Sequence, residues 1–231
     1  MEGYFPQPFT SIDIPIATTT DIATMVRIRW RLVGNGRFRL CRNLYNRHIT
    51  LFANENFQKA DGMKRIGLLS DTHGYWDDKY LQYFEECDEI WHAGDIGSID
   101  VATRLAQFRP FRAVYGNIDT NEIRQTYPEI NQFEVEGASV LMKHIGGYPG
   151  KYDPSVRSLL LSNPPKLFIS GHSHILKVMF DPRIGTLHIN PGAAGIYGFH
   201  KTRTLIRFSA DAGTFKDLEV IELREDKSKN R

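Results

Sequence analysis

The stretch RIGLLSDTHGYW, residues 65–76, changes from apolar to polar within a few positions. Its apolar part, residues 66–69, is typical of a short strand that is buried on both faces. The strand is followed at once by Asp71 and His73, whose side chains can bind a metal ion or transfer a proton. Taken alone, an Asp-x-His sequence also fits an ordinary turn, so its meaning depends on the rest of the chain.

The composition is that of an ordinary globular protein: 41% of the 231 residues are hydrophobic and 24% are charged. No apolar run approaches the ~20 residues needed to cross a bilayer. The two cysteines, Cys41 and Cys87, are too few for a disulfide framework, and the first residues lack the basic-then-apolar order of a secretory signal. We therefore expect a cytoplasmic protein without a membrane partner. The net charge is +2 overall and –1 over residues 63–231, which gives no sign of nucleic-acid binding.

The character of the sequence changes near residue 63. Residues 1–62 show no sustained helical or strand period and carry a net charge of +3. We expect them to be an N-terminal extension that is poorly ordered or translated from a start codon assigned too early. A basic arm that contacts a partner is the alternative. Residues 63–231 open with a methionine and two basic residues ahead of the first buried strand, and we expect them to form the functional domain.

Beyond residue 63, apolar runs alternate with segments of helical period. Nine strands are predicted, at residues 64–70, 89–94, 111–116, 133–143, 166–170, 176–181, 185–190, 202–209 and 214–223. Three amphipathic helices are predicted between the early strands, at residues 77–87, 98–108 and 153–163. This alternation predicts a layered α/β domain in which the later strands, joined by short turns, run antiparallel.

Side chains with metal-binding atoms follow five of the early strands. In chain order they are Asp71 and His73, Asp95, Asn117, His144, and finally His172 and His174. Successive groups are 22 to 28 residues apart, close to the length of one strand–helix–strand step. Because open α/β sheets place their sites at the carboxyl ends of strands, we expect the five groups to meet at one edge of a sheet.

The types of these side chains indicate which ions they bind. Four imidazoles, two carboxylates, one amide and no thiolate suit Mn, Fe, Zn, Co or Ni better than Ca. Seven ligands exceed the tetrahedral set of a single zinc ion and suit two ions that share one carboxylate, for which Asp95 is the candidate. Each motif alone also fits a turn or a solvated loop, and His144 also fits a structural histidine. Their order and even spacing favour a metal site.

In this order, Asp-x-His, Gly-Asp, Gly-Asn-x-Asp, a single His and Gly-His-x-His resemble the calcineurin-like metallophosphoesterase superfamily. The sequence INPGAAG, residues 189–195, is most similar to the compact stand-alone bacterial and archaeal phosphodiesterases of that superfamily. The resemblance covers residues 64–223. It implies a four-layer α/β/β/α sandwich of two mixed sheets flanked by helices, with the metal site at the C-terminal ends of the strands. It also implies that Asp95 lies between two ions, one held by Asp71, His73 and His174 and the other by Asn117, His144 and His172.

The predicted activity is hydrolysis of a phosphate ester, with diesters preferred, by a hydroxide that bridges two divalent ions. Asp95, Asn117 and His144 are the predicted catalytic residues. Manganese is the expected metal, and Fe, Ni, Zn and Co fit the same ligands. The expected substrate is a small, nucleotide-like phosphate ester, and a homo-oligomer is an expected state because relatives often form one.

One position departs from the superfamily pattern. Many members have a histidine where this chain has Ile118, and isoleucine cannot protonate a leaving group. We therefore expect a modest enzyme that favours good leaving groups, such as aryl esters or nucleoside-linked phosphates. Two alternatives stay open: a non-catalytic protein-interaction scaffold, as in a retromer subunit that resembles the same fold, and a metal-binding regulator without turnover.

The remaining histidines and aromatic residues have less specific interpretations. His92 is expected to pack or to donate a hydrogen bond near the site, and His188 is expected to be structural. His48 and His200 fit no motif. Four aromatic side chains near the predicted mouth either stack on a nucleotide base or pack against the protein; they are Tyr75, Trp76, Tyr148 and Tyr197.

Overall fold

The computed structural model describes residues 62–223 in full and, nearer the N-terminus, the backbones of four short strands. These are β1 (Ser11–Ile14), β2 (Val26–Arg29), β3 (Leu32–Val33) and β4 (Arg37–Phe38). β1 pairs antiparallel with β2, and β3 with β4. The predictions about an N-terminal extension otherwise lie outside the described residues.

The first sheet is built around three parallel strands, β5 (Lys64–Leu69), β6 (Glu89–His92) and β7 (Phe111–Ala113). Two antiparallel strands, β15 (Arg203–Asp211) and β16 (Thr214–Leu223), extend it beyond β5. The strand order is β16-β15-β5-β6-β7. All four residues of β6 are buried, as expected for a strand covered on both faces.

Three helices cover the outer face of this sheet: α1 (Lys79–Tyr83), α2 (Ile99–Phe108) and α3 (Asn121–Thr126). The side chain of Ser98 caps α2 by accepting a hydrogen bond from the N–H of Asp100. Buried apolar side chains from the three helices and the sheet form one cluster. α3 is absent from the sequence prediction because six residues are too few to show a helical period.

The second sheet also mixes parallel and antiparallel pairs. Its parallel strands are β9 (Ala138–Lys143), β12 (Leu167–Ile169) and β14 (Thr186–Pro191). β8 (Ile130–Val135) and β13 (Leu176–Asp181) pair antiparallel at its two edges. The strand order is β13-β14-β12-β9-β8.

The outer face of the second sheet is partly covered by α4 (Pro154–Ser162), whose N-terminus is capped by the side chain of Asp153. Buried side chains of α4 cluster with Leu141 and Phe168 of the sheet. A small hairpin of β10 (Gly147–Tyr148) and β11 (Lys151–Tyr152) precedes the helix.

The main core lies between the two sheets. Ile66, Leu68 and Trp91 of the first sheet share one buried cluster with apolar residues of the second, including Val140 and Ile169. Helices therefore lie outside two face-to-face sheets, which confirms the four-layer α/β/β/α prediction. Within the described residues, no helix is both long enough and apolar enough to cross a membrane.

One predicted element is wrong. Residues 133–143 do not form one strand but parts of two antiparallel strands, β8 and β9, joined at Glu136 and Gly137. Both turn residues have positive φ, 46° and 76°, as a tight two-residue hairpin turn requires. The apolar pattern runs through this turn because the residues on both sides of it pack in the same core.

Candidate metal centre

Six of the seven predicted ligands lie together at the ends of four strands. In the first sheet, Asp71 and His73 follow β5 and Asp95 follows β6. In the second sheet, His144 follows β9, and His172 and His174 follow β12. The prediction of one sheet edge is therefore wrong in one respect, because two sheets contribute. The parallel strands of both sheets end on the same side of the sandwich, so their loops meet there.

The first group of ligands consists of Asp71, His73 and His174, whose ligand atoms lie within 4.8 Å of one another. Nε2 of His174 is 3.3 Å from Oδ1 of Asp71 and 3.2 Å from Nε2 of His73. Asp71 is fully buried, and its Oδ1 has no hydrogen-bonding partner within residues 62–223. A buried carboxylate oxygen without a donor is costly unless a cation binds it, and this oxygen faces two imidazoles.

The second group consists of Asp95, His144 and His172, again within 4.8 Å of one another. Nδ1 of His144 is 2.8 Å from the carbonyl oxygen of Ala93 and must carry the proton, because a carbonyl only accepts. Nε2 of His144 therefore presents a lone pair, 3.2 Å from Oδ2 of Asp95 and without a hydrogen-bonding partner in the described part of the chain. Two acceptors that face each other repel unless a proton or a metal ion lies between them. A metal ion fits that position.

The two groups adjoin. Nε2 of His73 in the first group is 3.8 Å from Oδ2 of Asp95, and Nε2 of His144 in the second is 3.9 Å from Oδ1 of Asp71. Asp95 therefore faces imidazoles of both groups, as a bridging ligand must. The two triads are therefore adjoining sets of side chains, each of which could hold a cation.

Charges within the centre shift the pKa values of its members. Burial alone would lower the pKa of His144, but the carboxylates of Asp95 and Asp71 outweigh it and raise the pKa above its usual range. The nearby carboxylate of Asp71 raises the pKa of His174, whereas burial prevails at His73 and lowers its pKa. The carboxylates thus create a negative potential that favours cations.

Five of the six clustered ligands have left-handed backbone conformations, which non-glycine residues rarely adopt. The φ angles are 54° at Asp71, 49° at His73, 53° at Asp95, 66° at His172 and 56° at His174. Backbone hydrogen bonds hold these turns in place, from the N–H of Asp71 to Gly94 and from the N–H of His73 to Asp95, each at 3.0 Å. Strain of this kind is retained where it serves a site, and here it directs the side chains over the strand ends.

Two glycines let the loops approach the ligands closely. A Cβ on Gly94 would lie 2.7 Å from the ring of His144, and one on Gly116 would overlap the carboxylate of Asp95. Only glycine fits at these two positions, next to the ligands.

Asn117, the seventh predicted ligand, is exposed in the loop after β7. The N–H of its neighbour Ile118 donates to Oδ1 of Asp95 at 3.1 Å, so this loop contacts the centre through its backbone. The buried carboxylate of Asp119 accepts two backbone N–H groups, each at 2.7 Å, and fixes the loop. Coordination by the side chain of Asn117 stays a prediction.

One residue that matched no motif also contacts the centre. Nε2 of His200 lies 3.0 Å from the carbonyl oxygen of Gly195 and therefore donates to it. Nδ1 of His200 is then an acceptor, 3.3 Å from Nδ1 of His174. This hydrogen bond leaves Nε2 of His174 unprotonated and directed at Asp71. No sequence signal marks the contact, because it joins two loops that are 26 residues apart.

Other predicted roles near the centre have clear outcomes. His92 accepts from the N–H of Gly94 through Nδ1. Its Nε2 donates to the hydroxyl of Thr72 at 2.9 Å, because that hydroxyl itself donates to the carbonyl oxygen of Ile96, so His92 donates a hydrogen bond near the site as expected. Trp76 stacks edge-on against Tyr80 with ring centroids 5.8 Å apart, and it packs rather than lining an open site. Tyr148 and Tyr197 are exposed.

Comparisons with known proteins agree with this geometry. The family model of the calcineurin-like phosphoesterase superfamily domain matches residues 63–213. A protein of Methanothermobacter thermautotrophicus named "Probable metallophosphoesterase" is 33% identical over 114 residues, which cover 47% of this chain and 66% of that protein.

Two solved structures share the fold at low sequence identity. A novel archaeal phosphodiesterase is 20% identical with a TM-score of 0.55, over 69% of this chain and 99% of that one. Vps29 of Chaetomium thermophilum is 13% identical with a TM-score of 0.59, over 71% of this chain and 91% of that one.

Proposed function

This chain belongs to the calcineurin-like phosphoesterase superfamily. On that basis we propose that it is a phosphodiesterase that uses two divalent metal ions. Manganese is the first candidate for these ions. The observation that carries the proposal is the pair of adjoining ligand triads, in which Oδ1 of Asp71 and Nε2 of His144 are buried acceptors without donors in the described residues. Small phosphate esters are the proposed substrates.

The donor set fits two ions of this kind. Each triad supplies three nitrogen or oxygen ligands and no sulfur, which suits Mn, Fe, Co, Ni or Zn. Two carboxylates offset only half of the charge of two divalent ions, so an anionic phosphate is attracted to the remainder. When bound, such ions offset charge on the phosphate oxygens and lower the pKa of water at the site.

The residues of the chain position this chemistry. The carbonyl oxygen of Ala93 orients His144, and the N–H of Ile118 orients the carboxylate of Asp95. The Ile118 side chain, 45% exposed, offers no proton to a leaving group. The enzyme therefore favours esters whose leaving groups depart without a general acid, such as aryl or nucleoside-linked diesters.

The direct test is turnover of bis(p-nitrophenyl) phosphate against p-nitrophenyl phosphate, with Mn²⁺, Ni²⁺, Fe²⁺ or Zn²⁺ added to the purified full chain. We expect the diester to be hydrolysed faster. Asp95→Asn should abolish turnover and reduce the bound metal, whereas Asp100→Asn, an exposed carboxylate on α2, should leave both unchanged. Metal binding without turnover would indicate a regulator. Absence of both metal binding and turnover would indicate a scaffold.

A protein-interaction scaffold is the second candidate, and one observation favours it. Large apolar side chains are exposed in segments that adjoin the centre: Ile175, Ile196, Tyr197 and Phe199. Such side chains often bind a protein partner. The likeness to Vps29 shows the shared fold alone. The cytoplasmic location and the homo-oligomeric state stay predictions.

A further inference from the structure

A cavity of about 510 Å³ adjoins the metal centre on the outer face of the second sheet. His172 and Ser173 line the end next to the centre, and the remaining wall comes from β13, β14, the β10–β11 hairpin and the start of α4. Its volume falls in the range of small-molecule sites. We propose that this cavity binds the organic group of the ester, an inference that rests on the proposed function. The group that fits is nucleoside-like, with a flat ring that donates hydrogen bonds.

The cavity wall is held in place by hydrogen bonds. The amide of Asn190 donates to the carbonyl oxygen of Gly171 at 2.7 Å and to the hydroxyl of Ser173 at 3.1 Å. On the hairpin side, the hydroxyl of Tyr152 donates to Asp181 at 3.0 Å. A preformed wall loses little entropy when a ligand enters.

His188 gives the wall a hydrogen-bond acceptor. Its Nε2 is 3.0 Å from the hydroxyl of Ser170, which itself donates to the carbonyl oxygen of Gly147, so Nε2 carries the proton. Nδ1 is then a buried lone pair with no partner within residues 62–223. Burial, and to a smaller extent the positive charge of Lys177, lowers the pKa of His188 to about 4. The ring is therefore neutral at pH 7. A ligand N–H or O–H group would satisfy this acceptor.

Lys177 and Tyr148 supply a charge and a flat surface. The Nζ atom of Lys177 lies 3.4 Å from the ring centroid of Tyr148, and Lys177 forms no ion pair with a carboxylate of the described residues. Lys151 also lines the cavity, and the single carboxylate there, Asp153, is engaged in capping α4. The lining is therefore positively charged overall, which suits a phosphate-bearing molecule.

Together these groups select among diesters. A simple aryl group would use only the face of Tyr148 opposite Lys177, whereas a nucleobase would stack there and also donate a hydrogen bond to His188. The cavity therefore predicts that a nucleoside diester binds better than a diester with two plain aryl groups.

The test compares thymidine 5′-(p-nitrophenyl) phosphate with bis(p-nitrophenyl) phosphate on the manganese-loaded full chain. His188→Phe removes the acceptor that only the nucleobase uses, and it should raise KM for the thymidine ester about fivefold with little change in kcat. In His188→Phe, KM for the bis-aryl ester should change less than about twofold, because that ester has no hydrogen-bond donor for His188. Tyr148→Ala and Lys177→Met should raise KM for both esters, because both carry a flat ring and the same phosphate charge. Lys166→Met, an exposed lysine that does not line the cavity, is the matched control.

Equal KM changes for both esters in His188→Phe, or none, would overturn the proposal. Absence of turnover with both would instead refute the proposed diesterase function. The cavity is then tested by calorimetry, in which thymidine 5′-monophosphate should bind at least about tenfold more tightly than inorganic phosphate. Equal affinities of the two probes would overturn the proposal without reference to catalysis.

Discussion

Removal of the His200 imidazole tests how the metal centre is supported. In the structure, a chain of hydrogen bonds runs from the carbonyl oxygen of Gly195 through His200 to Nδ1 of His174 and keeps Nε2 of His174 unprotonated. His200→Ala leaves that ring free to turn or to change tautomer. We therefore expect weaker metal binding with no change in the other triad.

The magnitude follows from the geometry. Loss of the outer hydrogen bond of a metal-ligating histidine typically costs 10–100-fold in metal affinity. The contact between His200 and His174 is 3.3 Å, slightly beyond the usual 2.7–3.2 Å range, so the lower end of that cost applies. We expect about tenfold weaker binding, or about 1.4 kcal/mol, at one of two sites.

Calorimetric titration of the metal-free protein with Mn²⁺ measures this affinity directly. Phe199→Ala changes the same loop at a fully exposed side chain and should bind Mn²⁺ like the wild type. His200→Gln retains an acceptor for His174 and should recover part of the loss. Wild-type affinity in His200→Ala would refute the reasoning, and an equal loss in Phe199→Ala would assign the effect to the loop as a whole.

Four further outcomes are expected. Gly198→Ala should also weaken Mn²⁺ binding, because the added Cβ would overlap the ring of His174, and the same titration measures it. Gly67→Ala should lower the free energy of unfolding by about 1–3 kcal/mol in a urea titration, since its Cβ would lie 2.6 Å from the ring of Phe84. Burial would raise the pKa of Glu89, but hydrogen bonds from the side chains of Arg112, Lys64 and Trp91 lower it to about 2. Its contribution to stability is therefore present above about pH 4.5 and is lost as the pH falls toward 2, so urea titrations of wild type and Glu89→Gln should converge across that window. Finally, chelation of bound metal should lower the melting temperature, because it leaves two buried acceptors unsatisfied; an unchanged melting temperature would contradict the metal assignment.

Local patterns in the chain were sufficient for several elements of the fold. The apolar run 66–69 forms the buried part of β5, and the serine before α2 caps it as predicted. The prediction of a single strand at residues 133–143 was wrong, because a tight turn lies inside a continuous apolar stretch. The sequence pattern also failed at α3, which is too short to show a period.

By itself, the sequence determined which side chains follow the strands, because strand ends are local features and the ligand types are read directly from the chain. Only the tertiary structure decided that two sheets, rather than one edge, bring those ends together. It also decided that His200 supports His174 and that Nδ1 of His188, in the wall of the adjoining cavity, has no partner within residues 62–223. The physical reason is that these contacts join residues far apart in the chain through packing of loops and sheets. Such packing leaves no periodic trace in the sequence.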